Sequence, residues 1–112
     1  MRPVLIGDVL AMARALMPVP SAARPNCCAR WLQEVEAADK YRKRHARCHA
    51  RWGNGSLMSH ATRMAGPNAL AGATLENADF CQCLQVVLVQ LGMWRQVKAA
   101  RGGGAEMLSA KR

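Results

Sequence analysis

From Phe80 to Trp94 the chain carries a run in which Gln82, Gln85 and Gln90 are the strongly polar residues. A helix through it has one apolar stripe of Phe80, Leu84, Val87, Leu88, Leu91 and Trp94 and a second of Cys81, Cys83, Val86, Val89 and Met93. A helix apolar nearly all round needs cover on several sides. In a chain of 112 residues, the shorter amphipathic segments can cover one side of it, hardly all. The pattern therefore predicts self-association, with Leu32, Val35, Leu84, Val87, Leu88, Leu91 and Trp94 at the interface between copies. The run is too short for a membrane span, which needs about 18 uncharged apolar residues.

This fourth helix is expected over residues 78–100, with Asn77 as its cap and Asp79 in its first turn. Three others are predicted before it. Residues 7–17 form the first, with Asp8 as N-cap, Val9, Met12, Ala13 and Leu16 on one face, and Pro18 and Pro20 stopping it. Residues 21–47 form the second, capped by Ser21, with Pro25 in the first turn and a stripe of Cys28, Trp31, Leu32, Val35 and Ala38. After the turn Trp52-Gly53-Asn54-Gly55, Ser56 caps a short third helix over 57–64, closed by Gly66-Pro67, and residues 68–74 read as a loop. Gly102-Gly103-Gly104 is expected to end the fourth helix. The expected fold is all-α, with about four helices, a long apolar C-terminal helix, a helical oligomerisation domain over 1–101 and a flexible tail over 102–112.

Charge is the second informative feature. The 16 Lys and Arg outweigh 7 Asp and Glu, for a formal charge of +9. Such a surplus points to nucleic acid, anionic lipid or an acidic protein as partner. Lys40, Arg42, Lys43, Arg44, Arg47 and Arg51 cluster at the end of the second helix, with His45 and His49 among them, and are the candidate DNA contacts. The helix macrodipole offers a purely structural reason for part of that cluster. Glu36 and Lys40 have the spacing of a surface pair. A second basic group, with Lys111 and Arg112, lies at the C-terminal end.

Five cysteines cannot all pair within one chain. Cys27-Cys28 and Cys81-x-Cys83 lack the spacing of zinc ligands, and Cys48-His49 has no partner motif, so no metal or other cofactor is expected. Free thiols in a reducing cytoplasm are the expectation. The N-terminus, interrupted by Asp8 and Arg14, does not read as a signal peptide. His60, with no second ligand at helical spacing, reads as a surface or packing histidine.

Enzymatic motifs are missing: there is no phosphate-binding GxxxxGK[ST], HExxH or Gly-x-Ser-x-Gly segment. Glu34 and Glu36 are misplaced for an acid–base pair, and Cys48 has no evident base. A non-catalytic role is expected. Nucleic-acid binding is better motivated, as a salt-dependent contact with little sequence preference. Tyr41 and Trp52 flank the basic run, but aromatic residues are sparse and the aromatic platform of a single-strand reader is not expected. A helix-turn-helix around Trp52 to Met64 would have a short reading helix with few long polar side chains.

Four stretches carry a resemblance: Met1-Arg2-Pro3-Val4-Leu5; Glu36-Ala37-Ala38-Asp39-Lys40-Tyr41-Arg42-Lys43-Arg44; Arg51-Trp52-Gly53-Asn54-Gly55-Ser56-Leu57-Met58; and Asn77-Ala78-Asp79-Phe80. Together they resemble a family of small terminase-like proteins from the gene transfer agent clusters of purple-bacterial relatives. The likeness spans roughly residues 1–94, and Trp-Gly-Asn-Gly-Ser-Leu-Met is its most specific piece. It implies an oligomeric, helical DNA-packaging adaptor that contacts DNA and recruits or regulates the large terminase, which holds the ATPase and nuclease. Phage small terminases often add a separate helix-turn-helix, and this sequence departs from that pattern, as suits packaging with little sequence preference. Under this reading the tail, with Met107, Leu108, Lys111 and Arg112, docks on the large terminase. The alternative is a small basic helical regulator that binds a polymerase or another acidic protein; a zinc module ranks third.

Overall fold

Two prolines, a glycine-rich turn and a set of polar caps divide the chain into helices. The structure, a computed structural model, describes residues 2–65 and 74–110, and side chains as far as residue 100. Among the described residues it is all-helical: α1 Ile6–Leu16, a 3-10 turn Ser21–Ala23, α2 Arg24–His45, α3 Leu57–Ala65 and α4 Ala78–Ala110. Residues 66–73, where the closing Gly66-Pro67 and most of the expected loop fall, lie outside the described residues.

α1 begins two residues ahead of the aspartate predicted to cap it. Leu5 is the N-cap and Asp8 is the third helical residue. Asp8 Oδ2 accepts from the Leu5 amide (2.8 Å), while the Asp8 amide donates to the Leu5 carbonyl (3.0 Å). Its other oxygen, Oδ1, accepts from the Met58 amide in the first turn of α3 (3.0 Å). One buried carboxylate thus satisfies free amides at the starts of two helices, where the macrodipole also favours negative charge.

The predicted faces of α1 and α2 both go inside. Val9, Met12, Ala13 and Leu16 are buried, as are Cys28, Trp31, Leu32, Val35 and Ala38. α1 packs against α3 and α4, and α2 closes the core against α4. Leu57 and Ala61 from α3 and Phe80, Cys83, Val87 and Leu91 from α4 complete it. At roughly 1.5–3 kcal/mol for each large apolar side chain removed from water, these contacts are the main stabilising contribution.

Ser21 opens the 3-10 turn and does not cap α2, which starts at Arg24 with Pro25 in its first turn. Arg24 does the capping work at a distance. Its buried guanidinium donates from Nε to the carbonyls of Leu16 (3.1 Å) and Val19 (3.0 Å), and from Nη2 to that of Met17 (2.9 Å). These carbonyls lie at and just past the end of α1, and that of Leu16 also accepts from the Val19 amide (3.0 Å). The same group grips Asp79 in the first turn of α4 through two bonds of 2.7 and 3.0 Å, and also meets Gln82. The hydrogen bond with Asp79 raises the arginine above its usual range and lowers the aspartate below its own, so the pair stays ionised.

α4 corrects the expectation of a long helix apolar all round. It is long, but it buries one face, and Leu88, Val89, Met93 and Val97 remain exposed on the others. Its core face follows Phe80, Cys83, Val87 and Leu91 at a spacing of three and four residues, which takes Cys83 from the second predicted stripe and leaves Leu88 of the first outside. Among the described residues no helix is long and apolar enough to cross a membrane. Asn77 caps α4 as predicted, its Oδ1 accepting from the amides of Asp79 (2.9 Å) and Phe80 (3.2 Å). The helix runs on through Gly102-Gly103-Gly104 to Ala110, past the expected stop. Glycine lowers helix propensity by about 1 kcal/mol per residue but keeps its amide, so a helix already propagating can pass through it. Glu36 of α2 meets Lys98 of α4, a contact far along the chain that the expected Glu36–Lys40 spacing did not suggest. Lys98 also lies over the Trp94 ring, 5.8 Å from its centre.

Candidate nucleic-acid interface

The C-terminal end of α2 and the segment that follows it build a basic, ring-rich surface. α2 ends at Ala46, which takes a left-handed conformation (φ 55°) and returns its amide to the Arg42 carbonyl (2.8 Å). A small loop then closes on itself, with His49 and Gly53 exchanging backbone hydrogen bonds of 3.0 and 3.1 Å. The predicted turn is therefore real, and two of its glycines are obligatory. Gly53 has φ 81° and Gly55 has φ 90°. A Cβ on Gly55 would come within 2.7 Å of the Asp39 Cα, so this turn lies directly on the backbone of α2. Asn54 Oδ1 accepts from the Ser56 amide (3.0 Å), and Ser56 Oγ from the Ser59 amide (3.1 Å), the expected cap of α3.

This packing brings four rings together that the sequence scatters. Tyr41 lies 4.4 Å from His45 and 4.9 Å from His49 between ring centres. His49 in turn stacks on Trp52 at 4.7 Å, with the planes only 12° apart. Nδ1 of His49 accepts from the amides of Arg51 (3.0 Å) and Trp52 (3.1 Å), which fixes the orientation of the imidazole. Tyr41, His49 and Trp52 are half-buried and His45 is exposed. Tyr41 and His45 line an open groove of about 690 Å³ with Ala37, Lys40, Lys43 and Arg44.

The six candidate DNA contacts divide by environment. Lys40, Lys43, Arg44, Arg47 and Arg51 are exposed, whereas Arg42 is half-buried. Arg42 and Lys43 each reach the buried Asp39 carboxylate at 3.1 Å. Burial pushes that carboxyl up, but hydrogen bonds that include those from Lys43 and Arg42 outweigh it and hold Asp39 well below the usual carboxylate range. Part of the cluster is thus structural, as the helix-end argument anticipated, and the rest is open to phosphate.

His60 resolves as a packing histidine, fully buried beneath this surface. Its Nε2 lies 2.9 Å from Glu34 Oε1, and its ring meets Trp31 edge-on at 6.1 Å. Burial pushes the imidazole below its ordinary value and outweighs the upward pull of Glu34. The connection 46–56 between α2 and α3 is longer than the three- or four-residue turn of a helix-turn-helix. α3 also commits Leu57, His60 and Ala61 to the core.

Residues 2–91 match a family described as a domain of unknown function, DUF7742. The chain belongs to the DUF7742 family. No curated protein and no solved structure matches it. The DUF7742 match takes in the Arg24–Asp79 pair, the Asp39–Gly55 approach and the ring cluster. Of the interface residues predicted for the DUF7742 chain, Leu32, Val35, Val87 and Leu91 lie in its own core, Leu84 and Trp94 pack half-buried at its edge, and Leu88 is exposed. Val89, Met93 and Val97 join Leu88 outside, and the same apolar run that named the buried stripe contains the first two of them. Met107 and Leu108 fall within the helical backbone of α4, while Lys111 and Arg112 lie outside the described residues. The five cysteines are free thiols, and among the described residues no group of His, Cys, Asp and Glu could hold a metal ion.

Proposed function

We propose that this protein is a non-catalytic DNA-packaging adaptor of the small terminase kind, which oligomerises, contacts DNA with little sequence preference and recruits or regulates a large terminase in the cytoplasm. The observation that carries the DNA contact is the group of exposed cations, Lys40, Lys43 and Arg44 on the last turns of α2 and Arg47 and Arg51 on the segment after it, with Lys43 also reaching Asp39. Such a group neutralises phosphates and releases counterions, an attraction that depends on salt and hardly on sequence. Self-association is supported by the outer face of α4, where Leu88, Val89, Met93 and Val97 stay exposed. The resemblance of the turn Trp52-Gly53-Asn54-Gly55-Ser56-Leu57-Met58 to gene transfer agent proteins supplies the packaging role.

The deciding experiment is a pull-down of the tagged full-length chain from cells that produce such particles. Recovery of a packaging ATPase, lost when the chain is cut after residue 104, is the expected result and assigns docking to Met107, Leu108, Lys111 and Arg112. Recovery of a polymerase in its place would overturn the packaging role in favour of a regulator.

A further inference from the structure

We propose that the ring cluster Tyr41, His45, His49 and Trp52 is a stacking site for the unpaired bases of single-stranded DNA, with the surrounding cations holding its phosphates. The inference rests on the DNA contact proposed above and adds to it the form of DNA that is bound. The rings form a continuous series, with centres 4.4, 4.9 and 4.7 Å apart from His45 through Tyr41 and His49 to Trp52. The cluster stays at the surface, half-buried or exposed; Tyr41 and His45 line one groove with Lys40, Lys43 and Arg44, and Trp52 lines a second beside Arg51.

The backbone around it is set before any ligand arrives. The His49–Gly53 backbone pair, the two amides donated to His49 Nδ1 and the close approach of Gly55 to Asp39 all fix the rings relative to α2. Preset rings lose little freedom when a base stacks on them. A duplex hides its base faces within its own stack and offers only edges and phosphates, so it can use the cations but not the rings. A single strand uses both. Each stacked base is typically worth about 1–3 kcal/mol, or a factor of roughly five to more than a hundred in affinity.

The test is fluorescence anisotropy with a labelled thymidine oligonucleotide and a duplex of equal length, each across a salt series. Tyr41→Leu with Trp52→Leu is expected to weaken single-strand binding by about tenfold or more, with duplex binding and both salt slopes unchanged. Tyr41→Phe with Trp52→Phe keeps the rings and is expected to restore single-strand binding, which separates stacking from a folding defect. Lys40→Ala with Arg44→Ala and Arg47→Ala should weaken both forms and flatten both slopes. Equal loss on the two forms in the leucine variant, or no loss on the single strand, would overturn the stacking site while leaving the electrostatic contact standing. Failure of the charge variant to alter binding to either form would remove the DNA contact itself.

Discussion

Arg24 and Asp79, 55 residues apart, form a two-pronged ion pair that joins the start of α2 to the start of α4 while the same guanidinium closes the end of α1. The two partners differ in burial: the arginine side chain is 4% exposed and the aspartate 52%. Their removal should therefore differ in cost. Arg24→Met leaves the Leu16, Met17 and Val19 carbonyls without this donor and is expected to cost about 2–4 kcal/mol. Asp79→Asn leaves a half-solvated pair and should cost clearly less. Urea midpoints at an unchanged slope measure both, and equal losses would contradict the capping role of Arg24.

Gly55 and Ala46 make opposite predictions from the same backbone region. Gly55→Ala puts a Cβ at φ 90° and within 2.7 Å of Asp39 Cα, so it is expected to destabilise by more than about 2 kcal/mol. Ala46→Gly relieves a residue already at φ 55° and should stabilise by about 0.5–1 kcal/mol. Thermal unfolding of the two variants gives the signs directly.

His60 makes stability depend on pH. Its imidazole sits below the ordinary value of 6.5 in the folded chain, chiefly because it is buried. Between that depressed value and 6.5 the unfolded chain binds more protons, so stability rises with pH across the window and levels off above it. His60→Gln, which can still donate to Glu34, is expected to flatten the part of the profile just below 6.5. Urea midpoints collected through that range check it, and an unchanged slope in the variant would show that another group titrates.

The exposed face of α4 predicts the behaviour of the assembly. Leu88→Glu with Met93→Glu changes residues that are 56% and 54% exposed, so each chain should keep its helical signal. If this face joins copies, light scattering should show the variant collapsing from an oligomer to one chain. A wild-type mass equal to one chain would end the proposal of self-association.

Local chemistry was readable where it acts over a few residues. Asn77 and Ser56 cap the helices they were expected to cap, because a side-chain oxygen reaches amides only two or three positions away. The apolar faces of α1 and α2 likewise followed from spacing alone, since each has a single stripe to bury. Asp8 shows the limit of such reasoning. A carboxylate near a helix start was expected to cap one helix, and it serves two, because α3 folds against α1 and brings the Met58 amide to it.

What the sequence by itself determined is a strongly basic chain, all-helical among the described residues, with cations gathered at the end of α2 and a turn after it. Tertiary structure decided which face of α4 goes inside, drawing Phe80, Val87 and Leu91 from one stripe and Cys83 from the other, because the docked positions of α1 and α2 choose a face on a helix that is apolar on several. It also gathered Tyr41, His45, His49 and Trp52 into one surface and drew Arg42 and Lys43 back toward Asp39. Helical spacing runs along one element, whereas these contacts arise where the left-handed Ala46 reverses the chain and Gly55 lets it settle on α2, a geometry set by close packing between segments.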